Sequence, residues 1–245
     1  MSEPALVING LKKVYTNGTV ALKGVSLTVP PGDFYALLGP NGAGKTTIIG
    51  ISTGLVRKTE GSVSVFGHDI DKEPELAKAQ IGLLGQELNF NPFEKPIDII
   101  VNQGGYYGIP RSEAIPRAKQ LLTDLGLGDK MNGKSMELSG GMKRRLMIAR
   151  ALIHKPRFLI LDEPTAGVDV ELRRGMWDYL RKLTSEGLTI LLTTHYLEEA
   201  EQLAKHVAII AKGEIVANGT MDEILAMHED KNADKSSYRA GRLEA

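Results

Sequence analysis

The stretch that decides the fold runs Gly39-Pro40-Asn41-Gly42-Ala43-Gly44-Lys45-Thr46-Thr47. It satisfies G-x-x-x-x-G-K-[ST], the pattern of the phosphate-binding P-loop. Its glycines let the backbone turn tightly, so that consecutive N–H groups point at phosphate oxygens. The helix predicted after it presents a positive N-terminal end to the same oxygens. Lys45 adds a point charge between the β- and γ-phosphates, and the Thr46 hydroxyl can bind Mg²⁺. The stretch therefore predicts nucleotide binding.

A second informative stretch is the apolar run from Phe158 to Leu161, which ends in the carboxylates Asp162 and Glu163. A buried parallel strand delivers such residues to the edge of the sheet where α/β proteins bind ligands. There Asp162 can hold Mg²⁺, chiefly through water, because Mg²⁺ keeps part of its hydration shell. Glu163 can orient and polarise an attacking water. Taken alone, the run is equally consistent with a buried strand that happens to end in acidic residues.

The third motif is Leu138-Ser139-Gly140-Gly141. Ser139 is a good N-cap, and apolar residues then recur at helical spacing, namely Met142, Leu146, Ala149 and Ile153. A capped surface helix explains the serine and the apolar stripe. It does not explain why two glycines, which are weak helix formers, occupy the first turn. Bare backbone N–H groups at a helix N-terminus form an anion site, so the motif predicts a second phosphate-binding element.

Strand-like and helix-like segments alternate along most of the chain, which predicts an α/β fold with a mainly parallel sheet. An N-terminal hairpin that turns at Asn17-Gly18 belongs to the antiparallel β subdomain expected at the start of the chain. Between residues 87 and 155 helical periodicity dominates, so this part is predicted to be an inserted helical lobe. A helix is expected from about Gly44 to Gly54. The predicted strands are Leu6–Tyr15, Thr19–Val29, Phe34–Leu38, Ser62–Phe66, Ile81–Leu84, Phe158–Leu161, Leu188–Thr193 and Val207–Ile210.

Composition limits the classes of function. Thirty Lys and Arg balance thirty Asp and Glu, so the chain lacks the basic footprint of a nucleic-acid-binding protein. The absence of cysteine excludes disulfides and thiolate metal sites. No run reaches the eighteen or so apolar residues of a transmembrane helix, and the N-terminus lacks the apolar core of a signal peptide. We expect a protein that stays in the cytosol and does not bind nucleic acid.

Together these motifs, in this order, resemble the ATP-binding cassette, the ATPase subunit of membrane transporters. The resemblance covers about residues 5 to 228 and implies a P-loop NTPase core, ATP and Mg²⁺ as ligands, and Glu163, His195 and Gln86 as catalytic residues. By position, Gln86 resembles the glutamine that reaches the metal and the γ-phosphate, and His195 resembles the histidine that contacts the γ-phosphate. Tyr15 matches the aromatic residue that stacks on adenine. Asp169 matches the loop that crosses the dimer interface.

Each of these four residues also has a structural interpretation. Gln86 could be a turn glutamine, His195 a satisfied core histidine, Asp169 a helix N-cap and Tyr15 a half-buried strand residue. The P-loop residues, together with Tyr15, are expected to bind ATP within one subunit. Ser139, Gly140, Gly141 and Asp169 are expected to act on the ATP of a partner subunit, and Thr46, Gln86 and Asp162 are the predicted metal-site residues.

The resemblance implies one cassette domain over 1–228, with a core lobe of 1–86 and 156–228 and a helical lobe of about 87–155. Residues 229–245 are predicted to be a charged, flexible tail. The expected assembly is a homodimer, or a heterodimer with a similar cassette, bound at the cytoplasmic side of the cell membrane to a separate integral membrane permease.

The direction of transport is less closely tied to the motifs. Export is favoured by Met142 in place of the more usual glutamine, by the basic residues that follow it, and by the lack of an extra C-terminal domain. Import is the competing direction. Two interpretations outside transport are a soluble cassette that acts on DNA or ribosomes and a catalytically silent regulator.

One further segment, Leu88-Asn89-Phe90-Asn91-Pro92-Phe93, mixes aromatic residues with turn formers. Aromatic residues commonly anchor interfaces. We therefore hypothesise that this segment forms one wall of a groove that receives a cytosolic helix of the permease. The competing interpretation is that Phe90 and Phe93 pack in the core of the helical lobe.

Overall fold

A computed structural model of the chain describes residues 3–165 and 170–227, without the side chains of 170–172. Asp169 and the predicted tail at 229–245 lie outside the described residues. Its strands form two sheets, one of six strands and one of four. The strands are β1 Leu6–Val14, β2 Val20–Val29, β3 Phe34–Leu38, β4 Glu60–Val65, β5 His68–Asp69, β6 Ile81–Leu84, β7 Phe158–Asp162, β8 Thr189–Thr194, β9 His206–Ala211 and β10 Glu214–Thr220.

The six-stranded sheet has the order β10-β9-β3-β8-β7-β6. Strands β9, β3, β8, β7 and β6 pair in parallel, and β10 adds to the edge by antiparallel pairing with β9. Parallel strands all point their carboxyl ends toward one edge, which collects the residues that follow β3, β6, β7 and β8. The four-stranded sheet, β2-β1-β4-β5, is antiparallel throughout.

The helices are α1 Lys45–Ser52, α2 Pro74–Ala79, α3 Pro96–Tyr106, α4 Arg111–Asp124, α5 Gly140–Leu152, α6 Val170–Ser185 and α7 Leu197–Leu203. Short 3₁₀ turns at Gly128–Lys130 and Ser135–Glu137 connect α4 to α5. No strand occurs in the described residues between β6 and β7, where α3, α4 and α5 contact one another. Pro96 in the first turn of α3 fits its place, since that position donates no helical hydrogen bond.

Two apolar cores cover opposite faces of the six-stranded sheet. Successive residues of a strand point to opposite faces, so Tyr35 and Leu37 enter one core, and Phe34 and Ala36 enter the other. The first core joins the sheet to α1 and to the antiparallel sheet. The second joins it to the helices that follow β6. The six-stranded sheet is therefore fixed on both faces and forms a rigid platform for the site at its carboxyl edge.

The predicted fold class is confirmed, with differences at the ends of elements. The helix expected from about Gly44 to Gly54 is shorter, because Gly44 is its N-cap in the left-handed conformation. The prediction missed β5, α2 and β10. Strand β10 contains Asn218-Gly219, a pair that favours turns, yet here both residues pair with β9.

Candidate functional site

The P-loop follows β3 and is held by close packing. A side chain at Gly39 would place its Cβ 2.3 Å from the carbonyl oxygen of Ile210, so only glycine fits. Gly44 has a φ of 115°, which is also a glycine conformation. The Lys45 side chain is only 5% exposed, and its Nζ donates to the carbonyl oxygens of Gly39 at 2.6 Å and Pro40 at 3.2 Å. The lysine charge is thereby fixed at the centre of the loop.

The ends of β7 and β8 bring the predicted catalytic groups together. The Glu163 Oε1 atom lies 3.5 Å from Lys45 Nζ and 3.3 Å from His195 Nδ1. The backbone N–H of Glu163 donates to the Thr193 carbonyl oxygen at 3.1 Å. Thr193 Oγ1 also donates to the Asp162 carboxylate at 2.5 Å. One carboxylate oxygen thus links the P-loop to the histidine, across three neighbouring strands.

Glu163 has a φ of 48°, in the left-handed region that a non-glycine residue rarely adopts. Such backbone strain persists only where surrounding contacts fix it, and it is enriched at functional sites. The conformation aims the Glu163 side chain back over the edge of the sheet, where it is 11% exposed. Asp162, one residue earlier, is 2% exposed. The two carboxylates therefore occupy distinct environments, one buried in the sheet and one at its rim.

A cavity of about 400 Å³ opens at this edge. Gln86, Glu163 and Lys45 all border it, so the structure brings together three residues that are far apart in the sequence. Asn41, Gly42, Gly44, Thr46 and Thr47 of the loop also line it. The remaining lining residues, Thr19, Val20 and Ala21 at the start of β2, were missed by sequence reasoning. They belong to no recognisable phosphate-binding or catalytic motif, so no local signal in the sequence marks them.

Tyr15 lies close to the same helix, because its hydroxyl is 3.2 Å from Thr47 Oγ1. Lys13 Nζ sits 4.7 Å from the centre of the Tyr15 ring and covers part of it. The ring is half-buried. This position places an aromatic face beside the P-loop helix, at the end of β1.

Ser139, Gly140 and Gly141 form the N-terminus of α5. The Met142 backbone N–H donates to Ser139 Oγ at 3.3 Å, which confirms the predicted cap. Ser139 and Gly140 are exposed, and none of the three residues lines the cavity of their own subunit. The structure therefore does not bring this motif to the P-loop of the same chain. It presents bare backbone N–H groups on the surface.

The oxygen ligands present suit Mg²⁺. Asp162, Thr46 and Gln86 supply carboxylate, hydroxyl and amide oxygens, which this hard cation prefers. Thr46 and Gln86 are exposed toward the cavity, whereas Asp162 is anchored beneath it by Thr193. Among the described residues no group of three or more His, Cys, Asp or Glu forms a metal cage.

Comparison with known protein families identifies the family of this chain. The sequence profile of the ABC transporter family matches residues 22–166, which is more than half of the chain. The chain belongs to the ABC transporter family. Its match runs from β2 through the P-loop and α5 to the end of β7. The resemblance inferred from the three motifs is thus confirmed, and so is the assignment of the chain as an ATPase cassette.

Two relatives illustrate the branch of the family. The cassette is 42% identical over 220 residues to the daunorubicin/doxorubicin resistance ATP-binding protein DrrA of Streptomyces peucetius, covering 90% of this chain and 66% of that protein. It is 39% identical over 219 residues to the linearmycin resistance ATP-binding protein LnrL of Bacillus subtilis, covering 89% of this chain and 70% of that protein. The cassette thus spans about two thirds of the length of these relatives.

Solved structures show the same fold. The ADP conformation of the cassette MJ1267 superposes with a TM-score of 0.80 at 30% identity, covering 90% of this chain and 93% of that one. A dimeric post-hydrolysis state of the cassette MJ0796, bound to ADP and phosphate, superposes with a TM-score of 0.78 at 27% identity, covering 88% of this chain and 98% of that one. No helix in 3–165 or 170–227 of the cassette is long and apolar enough to cross a membrane.

Proposed function

We propose that this cassette hydrolyses ATP at the edge of its parallel sheet and thereby powers export through a separate membrane permease. The observation that carries the proposal is the Glu163 carboxylate, which lies between Lys45 and His195 at the mouth of the cavity. A carboxylate in this position can direct a water toward a phosphate held by the P-loop.

Phosphate binding would rest on the P-loop. The backbone N–H groups of the loop and the N-terminus of α1 face the cavity, and Lys45 supplies the positive charge. Incoming phosphates compete with Glu163 for the Lys45 ammonium, and they carry more negative charge. Tyr15 would stack on the adenine beside α1. Mg²⁺ bound by Thr46, Gln86 and Asp162 would neutralise part of the phosphate charge.

In the hydrolytic step Glu163 would orient the attacking water and accept its proton, while His195 would contact the γ-phosphate and hold Glu163 in place. Positioned groups of this kind account for most of the rate enhancement in phosphoryl transfer, since the protein contributes mainly orientation and charge stabilisation. The left-handed backbone of Glu163 directs its side chain to the edge of the sheet before ATP arrives, so the carboxylate already lies near the reacting groups when phosphate takes its place beside Lys45.

The exposed N-terminus of α5 would complete the site of a second subunit. Ser139, Gly140 and Gly141 have no contact with their own cavity, and their N–H groups suit a γ-phosphate presented from outside. Asp169 would cross the same interface. In this arrangement two cassettes, identical or similar, enclose two ATP molecules head to tail. A dimeric neighbour of known structure supports the pairing of cassettes.

Export is supported by the relatives rather than by the site. The names of the matched proteins include daunorubicin/doxorubicin resistance, linearmycin resistance and Nod factor export. We infer the same direction for this chain, with the cassette held at the cytoplasmic side of the membrane by its permease. The cargo would be selected by the permease, because no site on the cassette needs to contact it.

The permease-binding surface is proposed at a cavity of about 270 Å³ between the end of α1 and helices α3 and α5. Leu55, which is 74% exposed, stands at its rim, and the stacked rings of Tyr107 and His154 line it with centroids 3.7 Å apart. Burial lowers the pKa of His154, which favours its neutral form. The cavity therefore offers flat aromatic surface of the kind that anchors a partner helix.

The two phenylalanines of the segment 88–93 differ in their surroundings, and each fits one of the two interpretations raised by the sequence. Phe90 is partly buried against the core that contains the helices, as the packing interpretation expected. Phe93 is 68% exposed, as a docking residue should be. The segment does not line the 270 Å³ cavity, but Arg150, which does, donates to the Asn89 carbonyl oxygen at 2.6 Å. We therefore keep Phe93 as a flanking contact, with Leu55 at the rim of the groove and Tyr107 in its lining.

The docking surface is tested by replacing Leu55 and Phe93 with alanine, separately and together. All three variants are expected to keep the melting temperature and basal ATPase rate of the isolated cassette, because the two side chains are exposed. Co-purification of the permease from detergent-solubilised membranes should fall by roughly tenfold for a lost hot-spot contact. ATP-driven transport in membrane vesicles should fall with it.

A matched control is Val216→Ala, which removes a side chain that is 60% exposed on β10, at the opposite edge of the sheet from β6. This variant should retain the permease. If Leu55→Ala and Phe93→Ala also retain it fully, the docking surface lies elsewhere. A large fall in the melting temperature of Phe93→Ala would instead favour the packing interpretation.

A further inference from the structure

One arginine of α5 is placed differently from its neighbours. Arg144 is only 8% exposed, although it lies in the basic run Lys143-Arg144-Arg145. Its Nη1 donates to the carbonyl oxygen of Gly85 at 3.2 Å. Arg145 reaches the other way, to the carbonyl oxygen of Leu125 at 3.0 Å, among the helices. Arg144 therefore carries a buried charge toward the sheet, and Arg145 does not.

Gly85 lies at the metal end of the proposed nucleotide site. Strands β6 and β7 pair in parallel with Leu84 opposite Leu161, so the next residues, Gly85 and Asp162, are neighbours across strands about 5 Å apart. Gln86, one residue on, lines the nucleotide cavity together with Glu163. The hydrogen bond to Gly85 thereby holds the guanidinium of Arg144 at the end of β6, next to the strand end that carries the two carboxylates.

The negative charges of these two carboxylates favour the charged form of Arg144. Burial lowers the pKa of Arg144, and the negative charges of Asp162 and Glu163 oppose that lowering. None of the carboxylate side chains that the structure describes forms an ion pair with Arg144. A guanidinium stays protonated under these conditions, because its reference pKa is far above neutrality. Its positive charge thus persists beneath the site.

We propose that Arg144 is an internal counter-ion for Asp162 and Glu163, a positioning residue that steadies Gly85 and opposes the entry of a divalent cation into the site of its own subunit. The inference rests on the proposed ATP site. Before the metal binds, the positive charge of Arg144 offsets part of the negative charge of the two carboxylates. A divalent cation held by Asp162 and its neighbours would be repelled by the positive charge of Arg144.

This repulsion acts on helix α5 as a whole, since Arg144 is fixed in its second turn. The first residue of that helix, Gly140, belongs to the motif that faces the partner's nucleotide. Metal binding in one site would therefore also act on the helix whose first residues face the other site. Arg144 is well placed for this role because the same helix carries both groups within a few residues.

The test measures how the affinity of the isolated cassette for ADP depends on the Mg²⁺ concentration. ADP is used as the probe because it is not hydrolysed. ADP affinity is determined by calorimetry, first in EDTA and then across a Mg²⁺ titration. For Arg144→Met, ADP affinity in EDTA should stay within about twofold, and the Mg²⁺ concentration for half of the metal effect should fall by roughly five- to tenfold. Arg144→Lys, which keeps the charge, should resemble the wild type. Arg145→Met is the matched control and should leave the Mg²⁺ requirement unchanged.

An unchanged or higher Mg²⁺ requirement in Arg144→Met would overturn the proposal, and so would an equal shift in Arg145→Met. A purely structural anchor predicts a lower melting temperature with no gain in metal affinity. If circular dichroism shows that Arg144→Met is unfolded, Arg144→Gln gives the same prediction, since the amide still donates to Gly85 without a charge. Failure of the wild type to bind ADP would overturn the proposed nucleotide site instead, so the two failures are distinguishable.

Discussion

Glu163→Gln is expected to bind ATP as tightly as the wild type and to lose nearly all turnover. The amide fills the same space near Lys45 and His195, but it cannot accept a proton from water as the carboxylate does. Removing one positioned catalytic group commonly costs about 10²–10³-fold or more in rate. Steady-state phosphate release and ATP affinity measure the two effects separately.

The same variant should accumulate as an ATP-bound dimer, because closure is allowed and hydrolysis is blocked. Size-exclusion chromatography with ATP and Mg²⁺, and then with ADP, would show a dimer in the first case and a monomer in the second. Thr184→Val, which removes a hydroxyl bonded only to the helical carbonyl of Leu180 in the described part of the chain, is a control that should keep wild-type turnover. Hydrolysis by Glu163→Gln at a near wild-type rate would show that another group activates the water.

A second large effect should separate nucleotide binding from assembly. Lys45→Ala removes the buried positive charge of the P-loop, so ATP affinity of the isolated subunit should fall by on the order of 10²-fold. Ser139→Arg should leave that affinity unchanged, since Ser139 does not line the cavity of its own subunit. It should nevertheless abolish turnover, because a long cation at the start of α5 would block closure of the partner's site.

Mixing the two variants provides the internal check. Each mixed dimer can contain at most one intact composite site, in which the P-loop of the Ser139→Arg subunit meets the serine of the Lys45→Ala subunit. Partial recovery of turnover in the mixture is therefore expected, with neither variant active alone. Equal loss of ATP binding in the two separate variants would place Ser139 within the pocket of its own chain and remove the head-to-tail arrangement.

The residues that carry chemistry were predictable because their type and spacing are dictated by what they bind. The phosphate-binding loop needs glycine at position 39, because a side chain there would clash with Ile210. It also needs a lysine directly after Gly44. Strand β7 was recognisable because it is buried on both faces and reads as a continuous apolar run. Such features are local, so the sequence alone predicts them, although the roles of the individual site residues remain predictions.

Features that depend on tertiary packing were not predictable in this way. Strand β10 is a half-exposed edge strand with a turn-like Asn218-Gly219 pair, and only pairing with β9 makes it a strand. The burial of Arg144 beside an exposed helix start follows from the contact between α5 and β6, which no local pattern reveals. Phe90 and Phe93 are three residues apart, yet one packs and the other is exposed. In each case the partner element is distant in sequence.

The central claim, that the P-loop of one subunit meets Ser139 of another, is tested most directly by cross-linking. The chain has no cysteine, so Asn41→Cys and Ser139→Cys can be combined in the Glu163→Gln background without competing thiols. Both positions are exposed, and oxidation should yield a covalent dimer only when ATP and Mg²⁺ are present. Either single-cysteine variant should stay monomeric on a non-reducing gel. A cross-link within one chain, or covalent dimer formed equally without ATP, would contradict the account.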